Sequence, residues 1–211
     1  PHLQLIDMDL ESFHQELLST ARVAADAKRD FVRTTFVEDA GNRLSDAEEF
    51  SDFQICPYEG LGARKRRLLV DGYSMDSADG SMSLLVAEFS NDDAIQAFGA
   101  TETRRCFAAL KSFVEEALDG NLTNGTIEES QPGNGLAAEL QRLLTRIVRF
   151  RLYLVSDGRL STRIQDWPEE DVHGVPVEFH IWDIERFHRA HESASGRDEL
   201  VVDFSTEGGH G

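Results

Sequence analysis

Residues 67–89 read RLLVDGYSMDSADGSMSLLVAEF. Two apolar runs, 68–70 and 82–89, flank the polar stretch SMDSADGS at 74–81. Asp and Ser side chains bond their own backbone, and Gly tolerates positive φ, so this stretch reads as a turn. The flanking runs then form an antiparallel hairpin. Its second arm, MSLLVAEF, is almost continuously apolar, and a strand with that pattern is buried on both faces. A sheet with such a strand needs a layer on each side.

The surrounding chain supplies those layers. Leu10, Phe13, Leu17 and Leu18 recur at helical spacing, and Phe31, Phe36 and Val37 suggest a second helix before Gly41. Phe53–Cys56 is a short strand ending at Pro57. After the hairpin, Ile95, Phe98, Phe107, Leu110, Phe113, Val114 and Leu118 predict one long helix with Ser90 as its N-cap. A Gly- and Asn-rich loop covers 120–135, and a further helix is expected over 136–148. Strands are expected at 150–155 and 177–182, a short helix at 184–191 and a last strand at 199–204. The order α-α-β-β-β-α-α-β-β-α-β predicts an α/β fold with a mixed sheet flanked by helices.

The chain has 211 residues, 39 acidic against 21 basic, and a net charge of −18. Such acidity opposes general attraction to a phosphate backbone, which depends on Lys and Arg. Cys56 and Cys106 are too few for a disulfide framework and form no Cys-x-x-Cys pair, so both are expected reduced, in a cytoplasmic setting. The N-terminal stretch is acidic and lacks the pattern of a signal peptide, and no run is long enough to span a membrane.

Two acids stand out against apolar neighbours. Asp71 lies in LLVDGY and Glu88 in LLVAEF, on the two arms of the hairpin. A carboxylate in such surroundings must be paired or bind a cation. If the two converge, they form an oxygen site suited to Mg²⁺ or Mn²⁺, which could activate water against a phosphodiester. Acids at strand ends near helix N-termini also have purely structural uses. Arg64-Lys65-Arg66-Arg67 is the most basic stretch. It is either a phosphate-contacting edge or a solvated hairpin end that discourages edge pairing. Trp167 and Trp182 are candidate exposed positions on a partner surface.

The arrangement resembles the restriction-endonuclease-like core, which runs α-β-β-β-α-β with an Asp on the second strand and an acid-x-Lys triplet on the third. On that resemblance Asp71 matches the Asp, Glu88-Phe89-Ser90 matches the triplet, and Glu38 matches the helical acid of some branches. Asp71, Glu88 and Glu38 would then hold the metal. Ser90 stands where such nucleases carry Lys, and Lys65 is the nearest basic substitute.

Over most of its length the chain is also similar to the N-terminal domain of the abortive-infection phage-resistance (AIPR) family. The segments that carry this are YEGLGARKRRLLVDGYSMD (58–76), LLVAEFS (84–90), FRLYLVSDGRLS (150–161) and VPVEFHIWDIERFHR (175–189). The resemblance implies antiviral defence and a further C-terminal region. Residues 1–8 are then read as a leader, 9–204 as a single nuclease-like α/β domain with extra C-terminal strands, and 205–211 as a linker-like tail. Two functions are expected: metal-dependent hydrolysis of nucleic acid, or a non-catalytic module that binds its own C-terminal region or forms a homodimer.

Overall fold

The computed structural model describes residues 8–125, 127–161 and 167–203. Its centre is the strand β3 (Ser81–Glu88), whose residues are almost all buried. β3 pairs antiparallel with β2 (Arg67–Asp76) on one edge and parallel with β5 (Arg149–Ser156) on the other. The full sheet adds β1 (Phe53–Leu61) outside β2, then β8 (Val175–Trp182) and β7 (Glu170–Val172) outside β5. A separate two-residue pair joins β4 (Ala97–Phe98) to β6 (Arg159–Leu160).

Side-chain alternation sends the two faces of this sheet into different cores. Met82, Leu84, Val86, Phe150, Leu152 and Leu154 pack with α3 (Ala100–Leu118) and α4 (Pro132–Leu143). Leu85, Ala87, Tyr153, Val155 and Trp182 pack with α1 (Leu10–Lys28), α2 (Val32–Asp46) and the start of α5 (Ile184–Asp203). The fold is therefore a mixed six-stranded sheet between two helical layers. Among the described residues no helix is long and apolar enough to cross a membrane.

The structure alters four local expectations. β1 runs through Pro57 instead of ending before it. Pro57 lies in the register shift between Ile55 and Tyr58 on an outer strand, where its missing N–H removes no ladder bond. The helix expected from Ser90 begins only at Ala100. The Ser90 and Asn91 amides and the Ser90 hydroxyl all donate to Asp157 at the end of β5. Phe98, read as helical, instead pairs with Leu160 in the small sheet. Gly99 caps α3, its N–H donating to Glu102.

The helix expected to reach 148 ends at Leu143 and passes through a 3₁₀ turn, Leu144–Arg146, into β5. The strand expected at 199–204 is also absent where it can be checked, because residues 199–203 continue α5 and Phe204 lies outside the described residues. Asp183 accepts the Arg186 amide and so opens α5. Once a helix is nucleated, each added residue gains a bond without a new nucleation cost. Val201 and Val202 read as strand from branched shape alone, a preference that context overrides.

Trp182, a candidate surface residue, is instead 4% exposed and packs against Phe187. Gly72 shows how tightly the α1–α2 side is filled. A Cβ there would sit 2.4 Å from the Phe53 ring and 2.9 Å from the Gln54 carbonyl oxygen. Gly72→Ala should therefore destabilise the fold by about 1–3 kcal/mol, measured by chemical denaturation. Phe53→Leu should recover only part of that loss, because the backbone contact remains.

Candidate functional site

The β2–β3 ladder runs from Asp76 opposite Ser81 to Gly72 opposite Leu85. Past that point side chains take over. The Ala87 amide donates to Asp71 Oδ2 at 2.8 Å, and the Ala87 carbonyl accepts from Arg33 Nη2 at 2.9 Å. Arg33, from the first turn of α2, also grips Asp71 with two bonds: Nε to Oδ1 at 3.2 Å and Nη2 to Oδ2 at 2.7 Å. Asp71 is 5% exposed. A carboxylate can be buried that deeply when a two-pronged guanidinium and an amide satisfy it. The clamp ties α2 to two strands.

The clamp residues Arg33 and Asp71 themselves line a cavity of about 350 Å³, together with Thr34 and Glu59, the apolar Val37, Ile55, Pro57 and Leu69, and Phe31. Phe31 is 80% exposed.

Glu88 lies on the other face. It follows Leu84 and Val86 in the alternation toward α3, where its Oε2 accepts from Cys106 Sγ at 3.2 Å and lies 3.6 Å from Arg105. Asp71 engages the α2 layer and Glu88 the α3 layer, so the structure does not bring the two carboxylates together. Their spacing puts them on adjacent strands, but facing is set by register, and the ladder breaks between them.

The other sequence-selected residues have partners of their own. Glu38 pairs with Lys28. Ser90 is bound to Asp157. Lys65 and Arg64 are exposed in the β1–β2 turn, in a 3₁₀ segment with both φ positive. Arg67 to Asp71 alone spans four residues of strand, roughly 13 Å, and Lys65 lies in the turn beyond Arg67. Arg67 pairs with Glu59 across the hairpin. Arg66 binds Glu115 at 2.7 Å and Glu116 at 3.0 Å.

Glu116 is 2% exposed. Its burial opposes the charge, but bonds from the Ala63 amide, Asn121 and Arg66 outweigh it and hold the carboxyl below its usual range. Half of the basic run thus fastens the hairpin to α3 or to itself. Among the described residues, no group of three His, Cys, Asp or Glu side chains is placed to hold a metal ion. Burial pushes both thiols, Cys56 and Cys106, up to about 12, so they are inert as nucleophiles.

Sequence reasoning missed Arg33 because a lone Arg at the start of a helix carries no motif. It also missed a second polar cluster on the same side of the sheet. Glu49 Oε2 accepts from Tyr153 Oη at 2.7 Å and from Arg151 at 3.0 Å. His180 stacks on Tyr153 with ring centroids 4.7 Å apart, beside Glu178. Burial and the Arg151 charge depress the His180 pKa below 6.5, while Glu178 and Glu49 oppose them. The only hint in sequence was polar residues alternating with apolar ones along FRLYLV.

These features define an α/β domain whose candidate site acids, Asp71, Glu88 and Glu38, are bonded within the domain. The family model described as the abortive infection phage resistance protein N-terminal domain matches residues 36–189, and the chain belongs to that family. Membership places it among phage-defence, abortive-infection proteins. Nothing among curated proteins or solved structures matches the chain.

Removing one arm of the clamp leaves a buried carboxylate with a single donor. Arg33→Met should therefore lower stability by about 1–3 kcal/mol, a value discounted because Arg33 is partly solvated, as read by urea denaturation. His180 supplies a pH test. Its folded pKa lies below its unfolded value, so the unfolded chain takes up the proton first. The stability it contributes is complete above pH 6.5 and is lost as pH falls below that value. Between pH 7 and 5.5, His180→Phe should flatten the fall in unfolding free energy by up to about 1.4 kcal/mol per pH unit.

Proposed function

We propose that this domain serves phage defence as a non-catalytic interaction module, binding a second copy of itself or a further region of the same protein. The observation that carries this reading is the state of Asp71. Its carboxylate is bonded to Arg33 and to the Ala87 amide, with Glu88 turned to the opposite layer. A metal ligand needs free lone pairs facing the ion together with a second acid. Here the Arg33 guanidinium already supplies the positive charge that a divalent ion would bring. Phe31 and the mixed apolar and charged cleft it lines support a partner surface, since a large exposed aromatic at a cleft can serve as an anchor.

Metal-dependent cleavage remains the rival reading, with Mg²⁺ or Mn²⁺ held by Asp71, Glu88 and Glu38 and with Lys65 beside them. The element order favours it, with an Asp on β2, the second strand in chain order. It would require Arg33 to release Asp71 and Glu88 to change face.

Calorimetric titration of Mn²⁺ separates the two. The expected result is no binding to the wild type or to Asp71→Asn, with Asp71→Ala unfolding earlier because the clamp is lost. Mn²⁺ binding by the wild type that vanishes in Asp71→Asn would overturn the module reading. In sedimentation, the wild type should self-associate or bind the C-terminal region, and Phe31→Ser should weaken that association by about tenfold or more, as expected for an aromatic anchor.

A further inference from the structure

A second cleft opens on the opposite side of the sheet, between α3 and the β7–β8 edge. Its volume is about 390 Å³, within the roughly 300–1,000 Å³ typical of small-molecule sites. Its floor is aromatic. Trp167 lies 4.7 Å from Phe179 and 5.1 Å from Phe107, centroid to centroid. Phe107 and Phe179 are also 5.0 Å apart, edge on, so the three rings form one rigid wall. Trp167 Nε1 is buried and donates to no acceptor among the described residues. A buried donor without a partner costs free energy, which a ligand acceptor would recover.

The rim is richer in cations than the rest of the molecule. Arg66, Arg104 and Lys111 line the cleft against Glu115 and Glu170, with Glu116 behind Arg66, a local near-balance in a chain of net charge −18. Arg66 is fixed by Glu115 and Glu116, and Lys111 by Glu115 and Glu170. Arg104 is exposed and makes no hydrogen bond or ion pair among the described residues. A guanidinium carries five donors and matches phosphate geometry with two of them.

We infer that this cleft binds a planar heteroaromatic anion of the size of a nucleoside monophosphate, its ring against Trp167 and its phosphate on Arg104. The ring meets an aromatic wall, where base–aromatic stacking is favourable, beside the unpartnered indole N–H of Trp167. One phosphate suits the single guanidinium, Arg104, that no acid among the described residues engages, whereas a polyanionic strand would meet the acidity of the rest of the surface. This inference is independent of the Asp71 clamp, which faces the other layer.

The test follows the two indole N–H resonances of the ¹⁵N-labelled chain, assigned with Trp167→Phe, during titration with AMP, adenosine and inorganic phosphate. AMP should shift the Trp167 resonance and leave that of Trp182, buried in the opposite core, in place. Adenosine should bind at least about tenfold more weakly than AMP, and phosphate alone should leave the indole unmoved. Arg104→Ala, a change at an exposed position, should weaken AMP about tenfold. The inference fails if AMP moves neither indole at millimolar concentration. It also fails if phosphate alone reproduces the shift, or if Arg104→Ala binds AMP as tightly as the wild type.

Discussion

β3 has no solvent face and no free edge. It is bonded to β2 on one side and to β5 on the other, and each of its faces is covered by helices. Every backbone group along it must find a partner within the protein, because water cannot reach it. Where β2 leaves the ladder, at Ala87, that demand falls on side chains. Asp71 takes the amide and Arg33 the carbonyl. The bidentate bond between them neutralises the buried charge and holds α2 against the sheet. One local irregularity in pairing thus accounts for a buried acid, a cross-layer arginine and the position of a helix.

The same constraint changes what the acids mean. A carboxylate among apolar neighbours invites a metal-site reading, because both a metal and an arginine answer the same electrostatic problem. The sequence contains both acids but not the facing of either. Only the register shows that Asp71 and Glu88 serve different layers. The basic run resolves in a similar way. Arg66 and Arg67 satisfy acids that the fold has brought beside them, while Arg64 and Lys65 remain at the turn.

Family membership and geometry carry different parts of the functional argument. Membership supplies the biological setting, phage defence. Geometry supplies the chemistry available: a bonded clamp lining a cleft in one layer, and an aromatic cleft with a charged rim in the other. The two clefts lie on opposite sides of the sheet. A partner on one face and a small ligand on the other would compete for no residue.

The sequence by itself determined the central hairpin, the doubly buried strand and the α/β class, because polar turn residues and continuous apolar runs act over a few neighbouring positions. It also carried the family, through runs such as RLLVDGY and LLVAEFS. It misplaced the start of α3, because Ser90 reads as a cap until Asp157, 67 residues away, is seen to hold it. It expected a strand at 199–204 where residues 199–203 continue α5, because branched side chains favour β structure unless a nucleated helix runs into them. Arg33, the Glu49–Tyr153–His180 cluster and the Trp167 cleft were left to tertiary structure. Each joins residues from separate elements, and nothing in local spacing records which side chains the sheet will turn toward the same layer.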